Sequence, residues 1–452
     1  MKEQMVIIIF GATGSLATRL LLPAVYEIFK KNNNIIIFGT AREESSVPEI
    51  LKKVQEHVHG FDENSFKKFS EKFFYYMLDI NNVQEFDGFS KYIDTHAPAL
   101  HNKIIYCATS SHYFLPIVEH TVQAHIIETG TRNHRVIFEK PFGWDAQSAI
   151  TINTALMKLL SEEQIYRVDH YISRELVNNI FVLRSANTIF EPLWNDTYID
   201  SITISLLETE TVAGRGAYYD HYGALKDVVQ NHLLQMAALV MMELPETAPA
   251  ENIQKNKAAL LNSLVFDNGI LGQYEGYRAE QDVAPESTTE TYAALKLSVN
   301  NKRWKKSTLF LVTGKALDKK EAHIYIAFKA LPSCFFNDNN RCAPNGLTIK
   351  IYPQEGFVLH VNAKKPQSDH ETTRVPLEFC YECLFGPYTP QAYEVLLSKV
   401  MRNDRSVTVS IEEIVAQWHL IDSVKIAHLP LYFYKKNSHG PSETSTVLGE
   451  NL

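Results

Sequence analysis

The sequence lacks several features that would assign it at once to a class of protein. It has no run of eighteen apolar residues and no block of basic residues, and its net charge is -8. These absences argue against a membrane-spanning helix and against a surface for nucleic acid or anionic lipid. The N-terminus enters a short apolar strand, unlike a cleaved signal peptide. We therefore expect a cytoplasmic protein that binds neither membrane nor nucleic acid.

Cysteine is also scarce, with five among 452 residues, which is typical of a protein in a reducing compartment. Cys380 and Cys383 form a C-x-x-C, and Cys334 and Cys342 precede it. Neither their spacing nor the flanking turns match a zinc ribbon. We interpret these residues as strand and loop thiols and predict no metal. The composition, 45% hydrophobic and 21% charged, is that of a globular chain with two or more cored domains.

The N-terminal stretch carries a glycine-rich turn between a strand and a helix. An apolar strand over Val6–Phe10 enters Gly11-Ala-Thr-Gly-Ser-Leu-Ala17, and helical periodicity follows from Leu16 through Phe29. Glycines at such a corner let the backbone approach a pyrophosphate, whose charge the helix N-terminus stabilises. The pattern predicts a dinucleotide site in a Rossmann domain.

The next strand is followed by an arginine. After Asn34–Gly39, Arg42 stands in the region where an NAD-specific site places an acid for the ribose hydroxyls. An arginine there suits the 2′-phosphate of NADP, while Glu43 and Glu44 leave NAD use open. A solvated arginine without a ligand is the alternative.

Two further strands should end at the same edge of a parallel sheet. Lys103–Ala108 has the pattern of a buried parallel strand, and a later strand ends at Glu139 and Lys140. Because Pro141 stops that strand, Lys140 should project at the carboxyl edge of the sheet. Such a charged pair is often only a surface pair, but its position beside a cofactor cleft favours a function.

Asp169 and His170 occupy a transition from strand to helix. They follow an apolar-alternating run and precede the helical pattern that begins near Arg174. Open α/β sheets bind ligands outside the carboxyl ends of their strands. The alternative is an aspartate that caps the helix beside a satisfied histidine.

Beyond residue 175 many alternating strands with few crossovers predict a largely antiparallel sheet. The predicted strands are Ile199–Glu208, Thr291–Val299, Thr308–Thr313, Ala322–Phe328, Gly346–Tyr352, Gly356–Asn362 and Thr372–Phe379. Helices near 390–401 and 411–427 should pack on this sheet, and the tail from residue 437 should be irregular. The predicted fold class is α/β plus α+β, with an N-terminal Rossmann dinucleotide-binding domain (1–173) and a β+α domain with a large, mostly antiparallel sheet (174–452).

One helix of the second domain has an unusual polar content. In Gly223–Val240 the apolar stripe includes His232, and Asp227, Gln230 and Asn231 crowd the same two turns. A histidine on an apolar face is usually a satisfied core residue. A histidine held by a carboxylate is also suited to act as a general base near neutral pH. The residues alone leave both interpretations open.

A set of motifs occurs in a single order at spacings known from one family. They are Gly11-Ala-Thr-Gly-Ser-Leu-Ala17, Glu139-Lys-Pro-Phe-Gly143, Arg167-Val-Asp-His-Tyr171, Asp227-Val-Val-Gln-Asn-His232, Ser287-Thr-Thr-Glu-Thr-Tyr-Ala293, Gly314-Lys315 and Val361-Asn-Ala-Lys-Lys-Pro366. Together they resemble the glucose-6-phosphate dehydrogenase family over nearly the whole chain. The resemblance implies a Rossmann domain and a β+α domain whose sheet makes a dimer. It also implies oxidation of β-D-glucose 6-phosphate at C1 by NADP, the first step of the oxidative pentose phosphate pathway.

The resemblance assigns roles position by position. His232 resembles the base that removes the C1 hydroxyl proton, Asp169 the carboxylate that orients it, and Lys140 a lysine that reaches the sugar and the nicotinamide. The implied substrate-binding residues are His170, Tyr171, Arg174, Glu208, Asp227, Lys315, Lys320 and Tyr393. The implied coenzyme-binding residues are Gly11, Thr13, Gly14, Ser15, Leu16, Arg42 and Lys140.

Departures from the family pattern gather at the substrate-phosphate and coenzyme edge. Ser15, Thr18 and Leu20 stand where the family usually has an acid and lysines, Arg174 replaces a lysine, and Val312 replaces an arginine. Arginine keeps the charge of lysine but is a planar fork, so the geometry of phosphate binding need not be the same. We hypothesise that the hydride chemistry is retained while substrate preference or affinity has drifted.

Two alternatives stay open at this point. The first is the same chemistry on another aldose phosphate, and the second is a catalytically weakened paralogue that binds the cofactor. The resemblance implies a homodimer or homotetramer with a sugar-phosphate substrate. Lys364 and Lys365 resemble part of a second, structural NADP site found in some members, but we interpret them as a basic hairpin end.

Overall fold

The computed structural model describes residues 4–98, 101–247, 249–333, 342–368, 371–386 and 390–449. The chain divides into two compact units. The first takes its residues from 1–174, 248–254 and 390–415, and the second takes its residues from 175–247, 255–389 and 416–452. The predicted domain 174–452 is continuous, whereas two stretches within it belong to the first unit.

The first unit is built on a parallel sheet. Its strands are β1 (Met5–Phe10), β2 (Ile35–Ala41), β3 (Phe73–Met77), β4 (Asn102–Cys107), β5 (His134–Phe138) and β6 (Ile165–Arg167). The order is β3-β2-β1-β4-β5-β6 and every pairing is parallel, which is the order of the dinucleotide-binding Rossmann fold. The predicted Rossmann domain is confirmed. Its central strand β1 is buried along its whole length, as expected for a parallel sheet covered on both faces.

Helices connect and cover the strands. The α-helices are α1 (Leu22–Lys31), α2 (Val47–Gln55), α3 (Glu63–Ser70), α4 (Val83–His96), α5 (Phe114–Gln123), α6 (Ala146–Leu156), α7 (Glu175–Ser185), α8 (Gly216–Ala224), α9 (Leu234–Met241), α10 (Ala250–Leu261), α11 (Tyr381–Phe385), α12 (Ala392–Met401), α13 (Ile411–Ile426) and α14 (Thr444–Leu448). Two π-helices, Ala17–Leu21 and Leu225–Leu233, run directly into α1 and α9. Short 3₁₀-helices lie at Ser111–Tyr113, Glu162–Gln164, Glu191–Leu193, Tyr277–Ala279 and Arg405–Val407. Throughout the described ranges, every helix is too short or too polar to cross a lipid bilayer.

Helix α12 packs on α1 in the first unit. Its residues Tyr393, Leu396 and Leu397 are buried in the core of that unit, and Lys31 forms an ion pair with buried Glu394 at 2.6 Å. The prediction that this helix packs on the large sheet was wrong. An apolar stripe shows that one face of a helix is buried, but it does not identify the surface that buries it.

The second unit is built on a larger sheet. Its strands are β7 (Ile199–Leu207), β8 (Leu264–Tyr274), β9 (Tyr292–Val299), β10 (Thr308–Gly314), β11 (Glu321–Phe328), β12 (Gly346–Tyr352), β13 (Gly356–Lys364), β14 (Thr372–Cys380) and β15 (Leu431–Tyr434). The order is β14-β13-β12-β11-β7-β10-β9-β8-β15. The pairs β7–β10 and β8–β15 are parallel and the others are antiparallel, so the mostly antiparallel sheet is confirmed. β8 was not predicted from the sequence, because Asp267, Asn268 and Gly269 interrupt its pattern next to a β-bulge.

The tail from residue 437 was predicted to be irregular. It contains α14, so this prediction was wrong in part. Val447 and Leu448 are buried, and Thr444 Oγ1 lies 3.0 Å from the hydroxyl of Tyr292 in β9. Isolated helices as short as α14 are unstable in water. Packing against the sheet therefore stabilises α14, and local sequence gives no sign of it.

The cysteines also differ from the prediction. Cys380 and Cys383 form a disulfide, and Cys342 is disulfide-bonded as well, so these three are not thiols. Cys380 caps α11, and its Sγ accepts the N–H of Cys383 at 3.2 Å, so the first turn of the helix brings the two side chains together. Cys334 lies outside the described residues, and Cys107 is a free, buried thiol.

Candidate functional site

The glycine-rich turn follows β1 at the carboxyl edge of the parallel sheet. Gly11 has a φ of +87°, and a Cβ on it would lie 2.6 Å from the carbonyl oxygen of Ala108. A Cβ on Gly14 would lie 3.2 Å from the carbonyl oxygen of Gly11. The N–H groups of Gly11 and Ala12 donate to the carbonyl oxygen of Thr40 at 2.8 and 3.1 Å, which ties the turn to β2. A side chain at Gly11 would disrupt this corner.

The remaining predicted coenzyme residues belong to this turn or to the end of β2. Thr13 and Leu16 are half-buried in the turn, Ser15 is exposed there, and Arg42 is exposed just after β2. β1 and β2 are parallel neighbours, so Arg42 leaves the sheet at the same edge as the turn. A glycine turn that lets the backbone approach a ligand closely and an exposed arginine therefore lie at adjacent strand ends. These residues fit a nicotinamide dinucleotide.

Lys140 follows β5, next to the buried Glu139. The Glu139 side chain accepts a hydrogen bond from the hydroxyl of Tyr106 at 2.5 Å. Burial raises the pKa of Glu139, while burial and the neighbouring carboxylate raise the pKa of Tyr106 well above its ordinary value. The sequence favoured a function for the charged pair Glu139 and Lys140 but assigned Glu139 no specific role, and it gave none to Tyr106 in β4.

Asp169 and His170 follow β6 in a turn. Oδ1 of the buried Asp169 accepts the N–H of Tyr171 at 2.8 Å, as in an Asx turn. The rings of His170 and Tyr171 have centroids 5.0 Å apart, and the guanidinium of Arg174 lies 5.0 Å from the Tyr171 centroid. Helix α7 begins only at Glu175. Asp169 is therefore not its cap, which removes the simplest structural alternative.

Tyr393 lies beside this turn. Its ring stacks on the ring of His170, with centroids 5.4 Å apart and an interplanar angle of 16°, and its hydroxyl donates to Glu139 at 3.2 Å. The first unit thus gathers several of its predicted residues near the ends of β5 and β6. We call these residues the strand-end cluster: Lys140, Asp169, His170, Tyr171, Arg174 and Tyr393.

In the second unit, Asp227 and His232 lie on the π-helix Leu225–Leu233, not on the continuous α-helix that the sequence predicts. Both side chains are buried, with 4% and 3% of their surface exposed. The hydroxyl of Tyr218 donates to Asp227 at 3.2 Å, and burial together with the negative charge of Asp227 raises the pKa of Tyr218. π-Helical turns are frequent at functional sites, so the geometry favours a function for this polar content.

Glu208 and Lys315 follow the neighbouring parallel strands β7 and β10, and their side chains form an ion pair of 2.5 Å. Lys315 Nζ also lies 5.3 Å from the ring centroid of Tyr219. The pKa of the buried Tyr219 is well above its ordinary value because of burial and the charges of carboxylates that include Asp227 and Glu208. The π-helix packs on both strands. We call this second group the helix cluster: Glu208, Asp227, His232 and Lys315.

Lys320 extends the helix cluster toward solvent. It forms an ion pair with Glu210. The hydrogen bond to Glu210 and the negative charges of Glu210 and Glu208 raise the pKa of Lys320. A lysine held in this way stays cationic, which is compatible with the predicted role in binding a phosphate.

Glu290 holds the start of the π-helix. Its Oε1 accepts the N–H of Leu225 at 3.0 Å, and its backbone carbonyl accepts the N–H of Ala224 at 2.9 Å. Gly223 has a φ of +61°, and a Cβ there would lie 2.4 Å from Glu290 Oε1. Burial raises the pKa of Glu290. Sequence reasoning gave no role to Glu290, although it lies within the quoted motif Ser287–Ala293.

The two parts of the chain match two models of a single family. Residues 8–179 match glucose-6-phosphate dehydrogenase, NAD binding domain, and residues 181–451 match glucose-6-phosphate dehydrogenase, C-terminal domain. The first match contains the glycine-rich turn and most of the strand-end cluster. The second contains the helix cluster and Tyr393.

Individual relatives agree with the family models over the whole length. Glucose-6-phosphate 1-dehydrogenase of Bacillus subtilis is 33% identical over an alignment 475 positions long, which covers 99% of this chain and 97% of the relative. The crystal structure of glucose-6-phosphate 1-dehydrogenase from Mycobacterium avium has a TM-score of 0.88 at 30% identity and covers 100% of this chain and 98% of its own. A glucose-6-phosphate dehydrogenase in complex with glucose 6-phosphate has a TM-score of 0.90 at 28% identity, covering 99% and 97%. This chain belongs to the glucose-6-phosphate dehydrogenase family, a family of oxidoreductases.

Proposed function

We propose that this protein oxidises C1 of β-D-glucose 6-phosphate to 6-phosphogluconolactone and transfers the hydride to NADP. The observation that carries the proposal is the presence of His232, Asp169 and Lys140 in a chain whose two units both match the family. Two relatives that are 33% identical to this chain over nearly their full length are named glucose-6-phosphate 1-dehydrogenase.

The residues divide the work of the reaction between proton transfer and binding. His232 acts as the base that accepts the C1 hydroxyl proton, and the resemblance gives Asp169 the task of orienting its ring. Glu208 and Asp227 are carboxylates that can accept hydrogen bonds from sugar hydroxyls. Bound NADP would supply the hydride acceptor, so the protein's task is orientation and proton removal.

The resemblance assigns the phosphate group of the substrate to cationic and aromatic residues. His170, Tyr171 and Arg174 belong to the strand-end cluster, while Lys315 and Lys320 belong to the second unit. Guanidinium and ammonium groups bind phosphate through charge-assisted hydrogen bonds. Leu20 and Val312 place no charge where the family usually has one, so Arg174 should carry a larger share of phosphate binding than the lysine it replaces.

NADP is preferred over NAD in this proposal because Arg42 can pair with a 2′-phosphate. The resemblance also implies a homodimer or homotetramer, and the scarcity of cysteine favours a cytoplasmic location. The mass of the particle in solution, measured by light scattering after gel filtration, tests the oligomeric state. Replacing Arg42→Ala should raise KM for NADP on the order of 10-fold, the loss expected from one charge-assisted hydrogen bond, and should leave KM for NAD nearly unchanged.

The direct test is the rate at which NADPH and NADH appear, followed by absorbance, with glucose 6-phosphate as the substrate. Fast turnover with NADP supports the proposal as stated. Faster turnover of another aldose phosphate would favour the first alternative. Absence of turnover with both cofactors and with all aldose phosphates tried, in protein shown to be folded, would favour a weakened paralogue.

A further inference from the structure

Glu139 joins three parts of the first unit. One carboxylate oxygen accepts the hydroxyls of both Tyr106 and Tyr393, at 2.5 and 3.2 Å. The other accepts the backbone N–H of Lys140 at 3.3 Å. Glu139 is 6% exposed, and Tyr106 and Tyr393 are buried with it. A buried carboxylate is costly unless it is hydrogen-bonded. The two tyrosine hydroxyls therefore stabilise buried Glu139, and Glu139 satisfies the two buried hydroxyls.

Tyr393 connects this buried carboxylate to the predicted phosphate-binding residues. Its ring stacks on His170, the ring of His170 contacts that of Tyr171, and the guanidinium of Arg174 lies over Tyr171. These contacts form a continuous row that runs from Glu139 through three rings to a cation. We call it the aromatic row. Stacked rings transmit position because a displaced ring must displace its packed neighbour or leave a void.

We propose that Glu139 is a positioning residue for the substrate phosphate, which it controls through Tyr393 and the aromatic row. The inference rests on the proposed function and gives a specific role to Glu139, which the sequence singled out only as part of a charged pair with Lys140. Glu139 touches neither phosphate nor sugar in this scheme. It holds the hydroxyl of Tyr393, so the ring of Tyr393 keeps one orientation against His170.

The largest expected effect is on substrate affinity. The aromatic row contains His170, Tyr171 and Arg174, which are among the residues assigned to the phosphate, whereas the proposed base His232 and the glycine-rich turn lie outside it. Loss of the acceptor leaves the buried hydroxyl of Tyr393 without its Glu139 bond, and the ring shifts to recover a partner. The KM for glucose 6-phosphate should therefore rise while kcat and the KM for NADP change little.

The test compares Glu139→Leu, Glu139→Gln and Tyr393→Phe by steady-state kinetics. Glu139→Leu should raise KM for glucose 6-phosphate ~10-fold, the effect expected of a lost buried hydrogen bond, with kcat within about 3-fold of wild type. Glu139→Gln should restore much of the affinity, because its amide oxygen still accepts the Tyr393 hydroxyl. In the double variant Glu139→Leu with Tyr393→Phe, KM should be no higher than in Glu139→Leu alone, since both changes remove the same bond.

Two controls separate positioning from general stability. Glu394→Gln changes the buried carboxylate next to Tyr393 on α12, which forms an ion pair with Lys31, so it should lower the melting temperature without changing KM. Tyr106→Phe removes the other donor to Glu139 and keeps the Tyr393 bond, so its KM should rise less than that of Glu139→Leu. If Glu139→Leu has wild-type KM, or changes KM only as Glu394→Gln does, the inference is wrong.

Failure of the proposed function can be told apart from failure of this inference. Wild-type turnover of glucose 6-phosphate reports on the function alone. If the wild type shows none, inorganic phosphate serves as the probe, and its binding is measured by protection against thermal unfolding in wild type and Glu139→Leu. Weaker protection in the variant supports the positioning role, and equal protection contradicts it.

Discussion

The two units anchor their candidate residues through glutamates that work in different ways. In the first unit, Glu139 accepts the side-chain hydroxyls of Tyr106 and Tyr393. In the second, Glu290 accepts the backbone N–H of Leu225. Burial raises the pKa of both glutamates, so both are held at some electrostatic cost.

This difference predicts which changes each unit tolerates. The strand-end cluster depends on the chemical identity of its side chains, because hydroxyl groups and aromatic rings hold its residues in place. The helix cluster depends on the path of the backbone, because Gly223 and the capped start of the π-helix hold its residues in place. Accordingly, changes to the rings and hydroxyls of the aromatic row should alter substrate affinity, replacement of His232 should alter the chemical step, and changes at Gly223 or Glu290 should alter the stability of the fold.

The largest effect is expected at His232. Replacement His232→Asn removes the proposed base from the helix cluster, and kcat should fall by ~10²–10⁴-fold, the usual contribution of general base catalysis. Binding of NADP, measured by fluorescence titration, should stay at the wild-type level. A variant that keeps most of its kcat would show that the helix cluster does not supply the base.

A smaller effect of a different kind is expected at Arg174. Replacement Arg174→Ala should raise KM for glucose 6-phosphate by ~10–100-fold, since a charge-assisted hydrogen bond contributes about 1.5–3 kcal/mol, and kcat should change much less. Arg174→Lys restores the family's usual residue and should recover much of the affinity. Equal losses in kcat and in affinity would show that Arg174 does more than bind the phosphate.

The backbone of the second unit is tested at Gly223. Replacement Gly223→Ala should lower the free energy of unfolding by about 1–3 kcal/mol, because the residue has a positive φ and its Cβ would collide with Glu290. Gly214 is the matched control, since it also has a positive φ but a Cβ there would meet nothing within 4 Å. Denaturant unfolding of both variants isolates the Glu290 contact. Equal losses would mean that the contact contributes nothing.

The smallest effect is expected at Glu290 itself, and it depends on pH. The pKa of Glu290 is raised in the folded state, so its stability contribution is fully present below the unfolded pKa of about 4.3 and is lost as pH rises through the folded pKa. Glu290→Gln keeps an acceptor for Leu225 but does not titrate. Its melting temperature should exceed that of wild type at pH 8, and the gain should shrink as the pH falls toward 4. A constant difference across this range would refute the assignment.

Sequence reasoning succeeded where local pattern and position along a strand decide the outcome. Lys140, Asp169 and Arg42 each follow a strand of the parallel sheet, and parallel strands bring their carboxyl ends to one edge. The family resemblance supplied the roles, which the pattern alone did not give.

It failed where distant segments meet. Tyr393 and Glu139 are 254 residues apart in sequence, and Glu208 and Lys315 are 107 apart. The first pair depends on how α12 packs and the second on how β7 and β10 pair. Neither arrangement leaves a local signal in the sequence. The apolar periodicity of a helix is likewise the same whether it covers one sheet or another, which is why α12 was misplaced.

The π-helix determines which side chains of the second unit share one side of the helix. In an α-helix each residue turns the chain by about 100°, so residues five apart point about 140° away from each other. A π-helix bonds residues five apart, and Asp227 and His232 have this separation, so they emerge from the same side of the helix. The single extra residue in this turn therefore acts as a spacer. A chain shortened by one residue between Asp227 and His232 could keep its hydrophobic core and still lose the alignment of the two side chains.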